Sequence, residues 1–206
     1  MFTLLMLGNI ASGKSFASKY LEHHGARVIN LDELAKSFYY PGSPVVEELV
    51  EEFGWQILSE DGGINFSQLA FVAFDTPESC QKLNAIVHPY VIDKLGEILV
   101  PPFDCSMSED FDFTVVEVTV PSVLPAIRNL ADQVMVIHAG MNTRRSRAVS
   151  RGMSEDDFER RCDLQPTDEE LCAMADIVID NDEGVSVDML LSSLDGWLHQ
   201  FIYSVL

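Results

Sequence analysis

Basic residues are scarce in this chain. Lys and Arg number 13 against 33 Asp and Glu, a formal net charge of −20 over 206 residues. A surface of that sign repels nucleic acid and anionic membranes, so neither is expected as a partner. Nothing in the sequence implies an obligate protein partner. Cysteine is also sparse: Cys80, Cys105, Cys162 and Cys172 stand apart with no CxxC pair, which argues against a zinc site. No apolar run reaches membrane length. The first, FTLLML (Phe2–Leu7), is far too short, and no basic segment precedes it as in a secretory signal. The cysteines are therefore expected as reduced thiols in a cytoplasmic protein. Internal repeats and low-complexity segments are lacking too.

What is present fits a soluble globular enzyme, with 47% hydrophobic and 22% charged residues. The length suffices for one good core with an inserted subdomain. Phe2–Leu7 is a continuous apolar run ending on a glycine, the pattern of a strand buried on both faces. Directly after it stands GNIASGKS: Gly8, four residues, then Gly13, Lys14 and Ser15. This is the spacing of a phosphate-binding loop. Glycines let the backbone turn its N–H groups inward onto phosphate oxygens, and the N-terminus of the next helix adds partial positive charge. Lys14 can reach the β and γ phosphates of ATP, and the Ser15 hydroxyl can ligate Mg²⁺. The candidate nucleotide contacts are Gly8, Asn9, Ile10, Ala11, Ser12, Gly13, Lys14, Ser15 and Phe16. An ordinary glycine turn is the rival reading, and it rarely falls between a buried strand and a helix.

The pattern predicts an α/β fold built on a parallel sheet. A helix is expected from Ser15 to about His24, closed by Gly25, then a strand Arg27–Asn30 and a helix after Leu31-Asp32. Strand, loop, helix and strand make one βαβ unit. From PGSP (Pro41–Pro44) the character changes. VVEELVEEF, FSQLAFVAF, the Glu78–Val87 segment and PYVIDKLGEIL all read as helices, with His88-Pro89 expected to end one of them. PPFDCSMSEDFD reads as a loop returning to the sheet. Later strands are expected at Phe113–Val120, Gln133–Ile137 and Ile177–Ile179, with a helix capped by Ser154 and a closing amphipathic helix over Val187–Leu206. The expected organisation is one domain with its core at about 1–40 and 112–206 and a helical insertion at about 41–111.

Four further features carry chemistry. Asp32 follows the second strand, where ligands of open parallel sheets collect. It can serve as a base for phosphoryl transfer or simply cap the helix that follows. Glu117 sits among valines in a strand, so it requires either a partner, such as a Mg²⁺-bound water or an arginine, or a wet face. Six of the 13 basic residues fall between Arg144 and Arg161: Arg144, Arg145, Arg147, Arg151, Arg160 and Arg161. They read either as an anion site or as a helix face paired with nearby acids. His88 alone reads as structural.

Taken together these stretches resemble the dephospho-CoA kinase family. The resemblance lies in the glycine loop, VINLDELAK (Val28–Lys36), YPGSP, FGWQILSEDGGINFSQLAFVAF, LNAIVHP, RSRAVSRGMSEDDFERR, Gln165 and ADIVIDN (Ala175–Asn181). It implies a P-loop kinase-like sheet, a helical substrate-binding region and an arginine-rich lid at about 142–166. It further implies ATP and Mg²⁺ as cofactors and phosphorylation of the ribose 3′-hydroxyl of dephospho-CoA, the last step of coenzyme A biosynthesis. On this resemblance Asp32 matches the catalytic aspartate, Lys14 and Arg147 act on the phosphates with Arg151, and Lys36 and His88 face the acceptor. The chain departs from the family pattern at Asn30, where an aspartate is usual, after Glu117, and at Gly152, where an acidic residue usually follows the arginine. Two other readings stand beside it: a P-loop kinase for another small nucleoside or metabolite, and a non-catalytic ATP-binding homologue.

Overall fold

The computed structural model describes residues 1–100 and 112–202. Along the chain the elements are β1 (Phe2–Leu7), α1 (Lys14–Glu22), β2 (Ala26–Asn30), α2 (Leu31–Lys36), α3 (Pro44–Phe53), α4 (Phe66–Ala73) and α5 (Pro77–Leu99). They continue with β3 (Phe113–Glu117), α6 (Leu124–Ile127), β4 (Gln133–His138), α7 (Met141–Ser150), α8 (Glu155–Asp163), α9 (Asp168–Ala173), β5 (Ile177–Asp180) and α10 (Val187–Trp197). The chain divides into two compact units. One holds the strands with α1 and α6–α10, and the other holds α2–α5.

In the first unit five parallel strands run in the order β2-β3-β1-β4-β5. A parallel sheet is covered on both faces, which is why Leu4, Leu5, Met6 and Leu7 are all fully buried. Each such leucine contributes about 1.5–3 kcal/mol. Alternate residues point to opposite faces, so Leu4 and Met6, Phe113 and Val115, and Met135 and Ile137 share one side. There they meet Ala17 and Leu21 of α1 and Leu190, Leu194 and Trp197 of α10. Phe113 and Trp197 pack edge to face at 5.9 Å, and the indole N–H donates to Gln133 Oε1 at 2.9 Å. The register aligns Met6 with Glu117 and Glu117 with Asn30, so β2 and β3 end level at the sheet's carboxyl edge and β1 runs one residue further, to Leu7.

Some boundaries differ from expectation. β3 stops at Glu117 rather than Val120. The Val118 N–H still donates to Met6 O, but Pro121 has no N–H for a ladder and opens a 3₁₀ turn over Pro121–Val123. The expected closing helix ends at Trp197 and widens into a π turn over Leu198–Ile202; its remaining residues lie outside those described. The expected return loop likewise falls outside the described residues, apart from Asp112. Among the described residues no helix is long and apolar enough to cross a membrane.

In the second unit α3, α4 and α5 each start on a capping side chain. Ser43 accepts from Val46 N, Asn65 from Gln68 N and Thr76 from Ser79 N, and Pro44 and Pro77 occupy first-turn positions. His88-Pro89 does not end a helix: α5 runs through it for 23 residues. A proline inside a helix costs about 3 kcal/mol. Here Leu83, Val87, Val91 and Leu95 form a buried stripe at four-residue spacing, and keeping that stripe continuous outweighs the lost hydrogen bond.

Candidate active site

The loop between β1 and α1 is folded by its own sequence and braced by distant residues. Ser12 N donates to Asn9 O at 3.1 Å, Ala11 takes φ +61°, and Gly13, at φ +105°, stands at the cap of α1. A side chain at Gly8 would lie 2.4 Å from Ser12 Oγ and 3.0 Å from Ile137 O, and one at Gly13 would lie 2.3 Å from Asn181 Nδ2 on a left-handed backbone, so a Cβ at either position displaces a neighbour. Asn181, at the end of β5, donates to Ser12 O at 2.7 Å. On the other side Ile10 N donates to Gln165 Oε1 at 2.9 Å. Ser12 Oγ and Asn9 Oδ1 are buried and find no hydrogen-bond partner among the described residues. A buried hydroxyl left without a partner is suited to a phosphate oxygen.

The protein partners of Glu117 are hydroxyls and an amide rather than an arginine. Its carboxylate accepts from Ser15 Oγ at 3.2 Å, from Ser18 Oγ, and from Asn30 Nδ2 at 3.4 Å. The wet-face reading also fails, because every residue of β3 is buried. The next residue supplies the other half of the arrangement: Lys14, itself buried, donates from Nζ to Val118 O at 2.9 Å. The end of β3 thus holds the loop's lysine and serine side by side. Ser15 Oγ and the Glu117 oxygens are hard donors of the kind Mg²⁺ takes alongside phosphate oxygens and water. Among the described residues no group of three His, Cys, Asp or Glu forms a dedicated metal cage. A Mg²⁺ that arrives with a nucleotide does not require one, so the residues present fit.

The arginine segment divides. Arg145 pairs with Glu159 at 3.1 Å, Arg160 and Arg161 both with Asp157 at 3.3 Å, and buried Arg144 with Asp168 at 3.0 Å. Arg147 and Arg151 have no carboxylate partner among the described residues. Arg144, Arg147 and Arg151 follow three- and four-residue steps along one face of α7 and its C-terminal cap. Arg147 reaches Ser12 O at 3.4 Å and Asn181 Oδ1 at 3.5 Å. Arg151 lines a cleft of about 330 Å³ with Ile10, Ala11, Ala148 and Asp157.

The acceptor-side candidates lie in the helical unit. Asp32 is the second residue of α2, inside its first turn rather than at the cap position, and Lys36 is four residues on, along the same helix face. Burial and then the Asp32 charge push the Tyr39 phenol up to about 12. His88 lies on α5, where partial burial lowers its pKa and so favours a neutral imidazole at pH 7. Sequence reasoning assigned no role to Ser18, Gln165, Asp168 or Asn181, and Arg144 takes the paired-acid reading, with a partner outside its own helix. Asn181 carried a usable signal, since it sits at the carboxyl end of a parallel strand.

A glycine loop joining a buried strand to a helix, with its lysine and serine set against the end of the neighbouring parallel strand, defines a P-loop kinase-like fold. The shikimate kinase of Bacteroides thetaiotaomicron shares the fold, with a TM-score of 0.55 at 12% identity over 96% of this chain and 97% of that one. A crystal structure from Thermus thermophilus superposes with a TM-score of 0.75 at 25% identity, covering 97% of each chain. The family model for dephospho-CoA kinase matches residues 3–186, and the chain belongs to that family. The dephospho-CoA kinase of Aquifex aeolicus is 38% identical over 176 residues, 85% of this chain and 86% of the relative.

Proposed function

We propose that this chain transfers the γ-phosphoryl group of ATP to the ribose 3′-hydroxyl of dephospho-CoA, giving CoA and ADP. The observation that carries this reading is the extent of the family match. Residues 3–186 take in the phosphate loop, the helical unit and the arginine segment, so the match reaches well beyond the generic loop. A kinase for another metabolite and a non-catalytic homologue have no comparable support.

In this reading the loop amides and Lys14 hold the β and γ phosphates, helped by the N-terminus of α1. Ser15 would hold Mg²⁺, with Glu117 fixing the Ser15 hydroxyl. Bound there, the ion would neutralise charge on the phosphate oxygens. Asp32 takes the proton of the 3′-hydroxyl as its oxygen forms the new bond to phosphorus and the bond to the ADP oxygen breaks. Arg147 and Arg151 stabilise the negative charge on the transferred group. Lys36 and His88 contact the acceptor, the helical unit is the acceptor-binding part, and residues at about 142–166 form the lid. ATP and dephospho-CoA are the partners, and the cytoplasm is the setting.

The test is incubation with ATP, Mg²⁺ and dephospho-CoA, with product identification by mass and phosphate position. One phosphate added at the 3′ position for each ADP formed is the expected outcome. ATP binding without phosphorylation of dephospho-CoA overturns the reading.

A further inference from the structure

Arg144 has no place in the chemistry above, yet it is the best-buried arginine of its segment, at 3% exposure. Its guanidinium engages three separate stretches of chain. Nε donates to Ala139 O at 2.9 Å, Nη1 to Cys162 Sγ at 3.7 Å, and Nη2 to both Asp168 oxygens at 3.0 and 3.2 Å. Asp168 Oδ1 is shared, because it also accepts from Asn9 Nδ2 at 2.8 Å. Asn9 belongs to the phosphate loop and donates in addition to Pro166 O at 3.1 Å. The chain on either side of α8 is therefore tied together by one ion pair, and that pair is tied to the loop through Asn9.

Burying an arginine and a carboxylate is no economical route to stability, since two apolar residues of similar size usually serve as well or better. A charged pair does supply direction. Its hydrogen bonds fix where α7 stands relative to the loop, and α7 also carries Arg147, one turn beyond Arg144. We propose that Arg144 and Asp168 are positioning residues for the transfer: through Asn9, their ion pair holds the phosphate loop in register with the helix that presents Arg147. This rests on the reading that the loop and Arg147 hold the ATP phosphates. The consequence falls on ATP rather than on the acceptor, whose candidate contacts lie in the other unit.

Asp168→Ala alone leaves a buried guanidinium without its carboxylate and endangers folding. The decisive variants are therefore the double replacement R144M/D168A, which removes both charges, and Asn9→Ala, which cuts the link while leaving the ion pair intact. For each, kcat, both KM values, thermal unfolding and ADP affinity by calorimetry are measured on the full chain. The expected result is kcat/KM for ATP lowered about 10- to 100-fold, with KM for dephospho-CoA within about twofold of wild type. Tm of the double variant should stay near that of wild type. Wild-type ATP kinetics in either folded variant overturns the proposal and leaves the pair a purely structural feature. If the wild-type chain fails to phosphorylate dephospho-CoA, the functional reading falls, but ADP affinity still judges the clamp. A drop of about tenfold in both variants upholds it, and unchanged affinity overturns it.

Discussion

Replacing Gly13 by alanine tests whether the phosphate loop is braced from outside. Gly13 sits at φ +105°, ψ 9°, a conformation that costs an L-residue about 1–3 kcal/mol. A Cβ built there falls 2.3 Å from Asn181 Nδ2, closer than real contacts allow, so that amide must move. It now donates to Ser12 O at 2.7 Å in a buried setting. Losing the bond leaves the Ser12 carbonyl with only the long Arg147 Nη1 contact at 3.4 Å, at about 1–3 kcal/mol. The two terms together predict a loss of about 2–6 kcal/mol. Gly152 is the control, since it sits at φ +91° with nothing within 4 Å of an added Cβ. Gly152→Ala should therefore carry the backbone term alone. Urea unfolding of both variants, with parallel ADP titrations, separates the terms. Gly13→Ala should be less stable than Gly152→Ala by about 1–3 kcal/mol, and it should bind ADP more weakly. Equal losses of stability with unchanged ADP affinity would refute the bracing role of Asn181.

Asp32→Asn should lower kcat by about 10²- to 10⁴-fold while ATP affinity is kept, measured by product formation and calorimetry; near-normal turnover would reduce Asp32 to a helix-start residue. Tyr39 is neutral in the folded chain up to about pH 12, whereas an unfolded tyrosine ionises near 10. Its contribution is therefore fully present below pH 10 and is lost as pH rises from 10 to 12, by up to about 3 kcal/mol. Tyr39→Phe should flatten the fall of Tm across that window, and superimposable profiles would sink the idea. Pro89→Ala restores an N–H inside α5 and should stabilise the protein by about 1–3 kcal/mol in urea unfolding. A neutral or destabilising result would mean that the helix gains nothing from the restored bond.

Features written in local sequence were legible without a structure. Six apolar residues ending on a glycine are enough to specify β1, and the GxxxxGKS spacing is enough to specify the loop, because both depend on short-range geometry. Pro89 was misread as a helix end for the same reason. Proline's local preference is to stop a helix, and only the stripe from Leu83 to Leu95, buried by packing across the unit, reverses that preference. The arginines could not be sorted by sequence either. Arg144 and Asp168 lie 24 positions apart, and only the fold makes them a pair. Glu117 and Asn30 make the point most fully. Each departs from expectation when considered alone, one as an acid in an apolar strand and the other as an amide where an aspartate is usual in the family. The register sets them opposite each other, with Asn30 Nδ2 3.4 Å from Glu117 Oε2. An aspartate at position 30 would place a second carboxylate against the buried first one, whereas the amide supplies a donor. With Ser15 and Ser18 donating to the same group, the carboxylate on β3 is accounted for, and the amide on β2 is part of the reason it can be there.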